Sequence, residues 1–157
     1  MKKKHFPLLP IVIILATIVF AYAVVSHYST DGYVKVDKLS IDGNNIIFGT
    51  GCRAIVAETS EERAYAIQLG LDKTINSRPL THDTFAETLK SFNITLEAVK
   101  IKAYDGQFYY SDMILSNNKK VLTLDTMPSD AIAIAVRLDA PIYVNETLLN
   151  EIGEDIC

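Results

Sequence analysis

An uninterrupted apolar run near the N-terminus constrains this sequence most. The run reads FPLLPIVIILATIVFAYAVV over residues 6–25 and contains no charged side chain. Twenty helical residues rise about 30 Å, which is the thickness of the hydrocarbon core of a bilayer. The run therefore predicts a transmembrane helix, and it leaves residues 33–157 to form one domain of ordinary size.

The residues that flank the run predict its orientation. Three lysines in the basic segment 1–5 precede it, and such residues tend to stay in the cytoplasm. After a short polar linker at residues 26–32, the domain is therefore expected outside the cytoplasm. The alternative is a signal peptide cleaved near Ala23, where the small residues of AYA could form a cleavage site and release a secreted protein. We favour the uncleaved anchor, because the run is longer than a usual signal core.

The charge of the domain limits its partners. The residues after the run include 19 acidic and 12 basic side chains, which gives a net charge near −7. A protein that binds nucleic acid through charge needs an excess of lysine and arginine on its surface. Any nucleic-acid chemistry here would need a metal ion or a local positive patch.

The two cysteines leave the covalent structure open. Cys52 lies on a predicted strand, and Cys157 ends the sequence as given. Outside the cytoplasm the two thiols could form a disulfide. The simpler interpretation is two unrelated thiols, and the sequence does not decide between these alternatives.

Extended and helical patterns alternate along the domain. Alternation over residues 33–42 predicts one strand with a slip of phase in its middle, and two further strands follow, NIIFG and CRAIVAE. A helix is then expected after Thr59, which has capping-box spacing to Glu62, and another with Thr81 as its N-cap. These patterns predict a three-stranded beginning followed by two helices.

The second half of the domain repeats the change from strands to helices. Three strands are predicted from Ile94 to Asp125, with a hairpin turn at Asp105 and Gly106 or a slightly longer loop around them, and a bulge near Ala98. The alanine-rich helix PSDAIAIAVRLD follows, then the strand PIYV and a last helix capped by Asn145. The fold class is therefore α+β, with antiparallel strands and helices packed on them.

Two segments of the domain resemble each other. Residues 55–72 align without gaps on residues 122–139, with 6 identities in 18 positions. Both segments read as a strand, an acidic residue, a threonine and an alanine-rich helix. Several identities are common helical residues, so chance similarity competes with an internal duplication. A duplication would place two strand-to-helix corners in related positions.

Polar residues cluster at three places in the pattern. These residues are Arg78, Thr81, His82 and Asp83, then Asp125 and Thr126, then Ser129, Asp130 and Arg137. In the functional interpretation, Asp125 and Asp130 hold a divalent cation such as Mg²⁺ or Mn²⁺. His82 and Asp83 join these two aspartates as catalytic candidates, with His82 as the general acid or base.

The same interpretation assigns substrate contacts. Arg78 and Arg137 bind phosphate, and Thr81 and Ser129 lie at helix starts where anions bind well. The structural interpretation assigns the same residues to helix caps, ion pairs and packing. The functional interpretation requires His82 to lie beside Asp125 and Asp130, and only a structure can test that arrangement.

Three motifs together resemble a known family. RPLTHD at residues 78–83, DTMPSDAIAIAVR at residues 125–137 and PIYV at residues 141–144 are similar in order and spacing to the bifunctional nuclease family, over roughly residues 51–152. The positions that match the family pattern are Arg78, Pro79, Thr81, His82, Asp83, Asp125, Pro128, Ser129 and Asp130. Thr126 and Met127 stand where the family has alanine and arginine, which removes one candidate phosphate contact.

The resemblance implies hydrolysis of phosphodiester bonds in RNA and DNA. Together with the apolar run, it predicts a nuclease anchored in the membrane by its N-terminal helix. The alternative is a tethered binding or assembly module without enzymatic activity, which the acidic charge and the replaced arginine favour. Assembly into a homo-oligomer is compatible with either hypothesis.

Overall fold

The computed structural model describes residues 28–157, which contain nine strands and four helices. The predicted basic segment, the predicted anchor and the first part of the linker lie outside the described residues. No helix within residues 28–157 combines the length and apolarity that a bilayer span requires.

The strands are β1 (Tyr33–Lys35), β2 (Lys38–Asp42), β3 (Asn45–Thr50), β4 (Arg53–Glu58), β5 (Thr95–Tyr104), β6 (Tyr109–Ser116), β7 (Val121–Thr126), β8 (Ile142–Asn145) and β9 (Glu154–Asp155). The helices are α1 (Glu61–Leu71), α2 (Thr81–Ser91), α3 (Pro128–Leu138) and α4 (Glu146–Ile152).

The strands form two sheets. One has the order β1-β8-β5-β6-β7, and the other has the order β2-β3-β4-β9. The predicted α+β class is confirmed, but the expectation of antiparallel strands is wrong at one place, because β5 and β8 pair in parallel. The reason is that α3 follows the edge strand β7 and packs across β5 and β6, so the chain reaches β8 on the far side of β5.

The slip of phase in residues 33–42 marks a change of sheet. The segment predicted as one strand forms β1, which pairs with β8, and β2, which pairs with β3. Between them, the N–H of Val36 donates to the carbonyl of Ile142 at 2.9 Å, and the N–H of Asp37 donates to the carbonyl of Gly49 at 3.0 Å. Adjacent residues therefore hydrogen-bond to different sheets, which a periodicity within one strand cannot reveal.

The two similar segments form equivalent structural units. Strands β2, β3 and β4 make an antiparallel meander that leads into α1, and strands β5, β6 and β7 make another that leads into α3. Each helix has 11 residues, and the gapless alignment superposes their first and last positions. The structure thus repeats a meander followed by a helix.

The two equivalent helices pack closely against each other at Gly70. A Cβ atom placed on Gly70 would lie 2.4 Å from Cγ2 of Val136 and 2.8 Å from Nη1 of Arg137. Every residue from 131 to 135 in α3 is buried, so this helix has neighbours on several sides. Helix α3 is therefore the centre of the core, and residues at its ends are fixed in place.

Two of the three predicted helix caps are wrong. Helix α2 begins after Leu80 rather than after Thr81, because the carboxylate of Asp83 reaches back and accepts from the N–H of Leu80 at 2.7 Å. Helix α1 begins after Ser60 rather than Thr59, with no hydrogen bond from a capping side chain. The cap at Asn145 is confirmed, since its side chain accepts from the N–H of Leu148 at 3.0 Å.

Local predictions in the second meander are confirmed. The hairpin has the slightly longer loop, since Tyr104 pairs with Tyr109 across it. The carboxylate of Asp105 accepts from the N–H groups of Gln107 and Phe108, and Gly106 has a φ of 95°. The register of β5 against β6 shifts between Leu96 and Ala98, at the predicted bulge. A second shift follows between residues 101 and 103 and was not predicted.

The two cysteines form a disulfide. Cys52 and Cys157 are bonded, with Cα atoms 5.2 Å apart and a separation of 105 positions in the sequence. The interpretation as unrelated thiols is therefore wrong, because β9 pairs with β4 and brings the end of the described chain beside Cys52. The disulfide fastens the C-terminal segment to the smaller sheet.

Candidate functional site

The two polar motifs meet where α2 packs against α3. RPLTHD ends in the first turn of α2, and PSDAIA forms the first half of α3. Because the first turn of α2 lies against α3, adjacent residues of the first motif contact different turns of the second helix. The sequence signature is therefore a helix–helix contact in the fold.

His82 and Asp130 form the exposed part of this contact. Nε2 of His82 lies 3.2 Å from Oδ1 of Asp130, and the side chains are 18% and 42% exposed. The other ring nitrogen, Nδ1 of His82, is buried and has no hydrogen-bond partner within residues 28–157. The imidazole therefore contacts one carboxylate oxygen of Asp130, and the side chain of Asp130 remains partly open to solvent.

Asp83 and Arg137 form the buried part of the contact. Nε of Arg137 donates to Oδ1 of Asp83 at 2.5 Å, and the two side chains are only 8% and 9% exposed respectively. Nη1 of Arg137 also donates to the carbonyl oxygens of Ala66 and Ala133, at 2.9 and 2.7 Å. Arg137 therefore joins α1, α2 and α3.

The charge state of Asp83 follows from this environment. Burial alone would raise the pKa of its carboxyl, but the hydrogen bonds from Arg137 and from the N–H of Leu80 outweigh burial and hold the pKa below its ordinary value. The carboxylate is ionised, paired and enclosed. These properties suit a structural ion pair better than a group that exchanges protons with a substrate.

Asp125 lies apart from this contact, on the edge strand β7. It faces Asp112 of β6 in register, and Nζ of Lys102 lies 2.6 Å from Asp112 and 3.2 Å from Asp125. The hydrogen bond to Asp112 is the main reason why the pKa of Lys102 lies above its ordinary value. The lysine offsets the repulsion between two carboxylates on neighbouring strands.

Lys102 and Asp112 are site residues that sequence reasoning missed. Lys102 falls within the second register shift of β5, so it has no regular cross-strand partner and lies beside Asp112. Strict alternation along the strand cannot predict that position. The Asp105 turn, which fixes the hairpin, is the one sequence signal that could have suggested a β5–β6 contact there.

The remaining candidates have different environments. Arg78 is exposed in the loop before α2 and forms no ion pair within the described residues, and Thr81 is exposed at the first position of α2. Ser129 is buried at the start of α3. The structure thus brings together His82 with Asp130 and Asp83 with Arg137, and it leaves Asp125 with Lys102.

A metal ion fits this arrangement only in part. No group of three His, Cys, Asp or Glu side chains within residues 28–157 is placed to hold a metal ion. Between Asp112 and Asp125 the ammonium of Lys102 takes the position that a cation would need, whereas Asp130 offers an exposed carboxylate oxygen of the kind that Mg²⁺ prefers. The predicted ligand pair of Asp125 and Asp130 stays a prediction.

A small groove opens beside the start of α3. It has a volume of about 160 Å³ and is bounded by both strand-to-helix corners and by the β5–β6 hairpin. We call it the corner groove, and its walls include Glu58, Arg63, Gln107, Phe108, Met127 and Ser129. Ser129 lines the groove and directly precedes Asp130 in the first turn of α3.

Comparisons with known proteins agree with the motif resemblance. The model of the bifunctional nuclease domain matches residues 53–156. The uncharacterized proteins MT1877 and Rv1829, from two strains of Mycobacterium tuberculosis, are each 34% identical over 103 residues, which cover 66% of this chain and 61% of theirs. The chain thus spans about three fifths of the length of these relatives. Because the family model matches residues 53–156, this chain belongs to the bifunctional nuclease domain family.

Proposed function

We propose that this protein hydrolyses phosphodiester bonds of RNA and DNA, with Asp130 as the group that receives the proton of the attacking water. The observation that carries the proposal is the contact of 3.2 Å between His82 and Asp130, in which the carboxylate remains 42% exposed. A general base must be able to reach the water that it deprotonates, and in this pair the carboxylate meets that requirement.

The reaction can be written with these groups. The water oxygen forms a new bond to phosphorus while its proton passes to the Asp130 carboxylate. The bond from phosphorus to the leaving oxygen breaks, and that oxygen takes a proton from solvent. His82 is a positioning residue that hydrogen-bonds to the carboxylate from its less exposed side. Arg78, exposed and free of ion pairs with residues 28–157, supplies a guanidinium for the phosphate.

A divalent cation belongs to the proposal as an addition to these residues. Asp130 would provide a carboxylate ligand, and Asp125 could join it only by leaving Lys102. Bound Mg²⁺ or Mn²⁺ would stabilise negative charge that develops on the phosphate. Assays with each ion and with a chelator therefore test whether hydrolysis requires a metal.

The activity test uses the full-length chain with single-stranded RNA and DNA oligonucleotides, with and without Mg²⁺ or Mn²⁺. We expect cleavage by the unaltered protein and a loss of about 100-fold or more in turnover for Asp130→Asn, because removal of a general base costs about 10²–10⁴. Glu151→Gln is the matched control, since Glu151 is an exposed carboxylate on α4. Cleavage that is unchanged in Asp130→Asn would remove this residue from the mechanism.

We also propose that the apolar run at residues 6–25 anchors the protein in a membrane, with the domain outside the cytoplasm. The charge pattern of the N-terminus supports this orientation. The Cys52–Cys157 disulfide supports it independently, because disulfides persist mainly in oxidising compartments.

The location can be tested on cells quenched with acid. The membrane fraction is treated with a maleimide reagent that adds mass to free thiols, before and after reduction. We expect the chain to shift on a gel only after reduction, with both cysteines modified. Modification of both thiols without reduction, or recovery of the chain outside the membrane fraction, would contradict the proposal.

A second function, a tethered binding module without enzymatic activity, is favoured by a different observation. The signature charges Asp83, Arg137 and Asp125 are already paired inside the protein, and Met127 replaces the arginine of the family pattern. Such a module could assemble as a homo-oligomer. Repeated recovery of one protein partner, together with no cleavage under any metal condition, would favour this function over hydrolysis.

A further inference from the structure

The corner groove has the size of a site for one flat group. Its volume of about 160 Å³ is roughly half of the lower limit for pockets that enclose drug-sized ligands, about 300 Å³. Residues of both strand-to-helix corners and of the β5–β6 hairpin line the groove. Both of the similar segments, residues 55–72 and 122–139, therefore contribute residues to the same groove.

An exposed aromatic side chain is held rigidly at this groove. Phe108 is 57% exposed, and its N–H donates to the carboxylate of Asp105 at 2.7 Å. The same carboxylate accepts from the hydroxyl of Tyr110 at 2.6 Å, which fixes the hairpin from both ends. The ring is therefore presented to solvent by an ordered turn, which reduces the entropy lost when a ligand stacks on it.

The other apolar residues of the lining include Tyr109, which packs against two aromatic rings. Tyr109 stacks on Tyr104 with ring centroids 4.3 Å apart, and its other side meets Phe48 edge-on at 6.4 Å. Across the groove, Met127 is 49% exposed at the start of α3. A thioether and a phenyl ring thus flank an apolar floor, and flat aromatic ligands stack well on such surfaces.

Polar groups at the rim complete the site. Glu58 and Arg63 line the groove and form no ion pair within residues 28–157, and the amide of Gln107 lies in the same hairpin as Phe108. A carboxylate, an amide and a guanidinium can accept from and donate to the polar edge of a nucleobase, and a guanidinium can also bind its phosphate. These groups are complementary to a nucleotide rather than to a hydrocarbon.

We propose that the corner groove binds one unpaired base of a single-stranded nucleic acid, stacked on Phe108. The inference rests on the proposed function, because Ser129 lines the groove and directly precedes Asp130 in α3, so a base bound here would belong to the strand that Asp130 is proposed to cleave. It also suits a domain with a net charge near −7, since stacking of a base on an aromatic ring contributes to affinity without a protein cation. A base paired in a duplex cannot enter, so the groove selects single strands.

The test separates the contribution of the bases to binding affinity from that of the sugar-phosphate backbone. Fluorescence anisotropy measures the affinity of the full-length chain for a labelled single-stranded DNA 12-mer and for the same oligomer with abasic sites. We expect Phe108→Ala to weaken binding of the normal oligomer about tenfold, which lies within the range of about 1–3 kcal/mol for one base stack. Binding of the abasic oligomer should be unchanged by this substitution.

The matched control is Phe92→Ala, which removes a phenyl ring that is 73% exposed at the end of α2 and outside the groove. Met127→Ala tests the opposite wall independently of the hairpin. Equal loss for normal and abasic oligomers, an equal loss in Phe92→Ala, or no loss in either groove variant would overturn the proposal.

Cleavage kinetics separate this proposal from the proposed function. If the protein is a nuclease and the groove binds a base, Phe108→Ala raises KM and leaves kcat unchanged. Binding that depends on Phe108 in a protein that cleaves nothing would support the base site and contradict the nuclease. Cleavage with an unchanged KM in both groove variants would support the nuclease and contradict the base site.

Discussion

Two adjacent residues of the first motif make contacts of different character with the same helix. Asp83 and Arg137 are about nine-tenths buried, and their charged groups contact three helices. His82 lies beside Asp130, whose side chain is 42% exposed and follows a residue that lines the corner groove. A motif that looks uniform in sequence therefore contains one pair that stabilises the fold and one pair that can meet a substrate.

The difference also explains why the family signature cannot be assigned to catalysis as a whole. Breaking a buried ion pair leaves an uncompensated charge in the interior, whereas changing an exposed carboxylate costs little stability. A residue can thus belong to the signature because the helices need it. The predictions below test this division, beginning with the largest expected effect on stability.

Loss of the buried pair should have the largest effect. Arg137→Ala leaves the Asp83 carboxylate buried without its partner, and we expect the free energy of unfolding to fall by about 3–5 kcal/mol. Urea denaturation measures the change. Asp139→Asn, which removes one charge from the exposed Lys73–Asp139 pair, is the matched control and should cost less than about 1 kcal/mol. Similar losses of unfolding free energy in both variants would contradict the assignment of Asp83 and Arg137 to a structural role.

Gly70→Ala tests how closely the helix that carries Arg137 is packed. Helix propensity predicts a gain of about 1 kcal/mol, but the new methyl group would collide with Val136 and with Nη1 of Arg137. We expect packing to dominate, with a net loss of about 1–3 kcal/mol. A more stable variant in thermal denaturation would show that the contact between α1 and α3 can relax.

The pH dependence of stability should report the buried pair. Because the pKa of Asp83 is depressed in the folded state, its contribution is present above the unfolded pKa and is lost as the pH falls through the folded value. Stability should therefore decrease below about pH 4, the ordinary range of aspartate. Asp83→Asn should show a shallower decrease in denaturation between about pH 5 and pH 2. An unchanged slope would mean that Asp83 does not titrate as proposed.

Met127→Arg has the smallest expected effect and tests whether the nucleic-acid backbone passes the corner groove. A guanidinium at this groove wall should make one additional phosphate contact, so the slope of log affinity against log salt should steepen by about 0.7 for single strands. Anisotropy titrations at several salt concentrations measure it, and Met127→Gln is the neutral control. A slope identical in the two variants would place the backbone of the nucleic acid elsewhere.

The sequence predicted local elements well and their assembly only in part. The Asp105 turn, the bulge near Ala98 and the cap at Asn145 depend on neighbouring residues, and all three were found. The change of sheet after β1 and the parallel β8 depend on strands far away in sequence, so no local pattern could show them. Tertiary pairing determined both.

The candidate site shows the same limit. Its two motifs were recognised, but their spacing did not reveal which carboxylate would be buried. Asp83 became structural because Arg137 lies on the facing helix, and Asp125 paired with Lys102 because β5 has a second register shift. Which acid is enclosed and which is exposed depends on how helices and strands meet, and that information is not local.

The most direct test compares Asp130→Asn and Asp83→Asn in one experiment, with turnover on a single-stranded oligonucleotide and the urea midpoint measured on the same preparations. The account predicts that Asp130→Asn loses about 100-fold or more in turnover with a nearly unchanged midpoint. Asp83→Asn should lower the midpoint clearly and keep turnover while it remains folded. The opposite pattern, a destabilised Asp130→Asn that cleaves normally and a stable Asp83→Asn that does not, would contradict it.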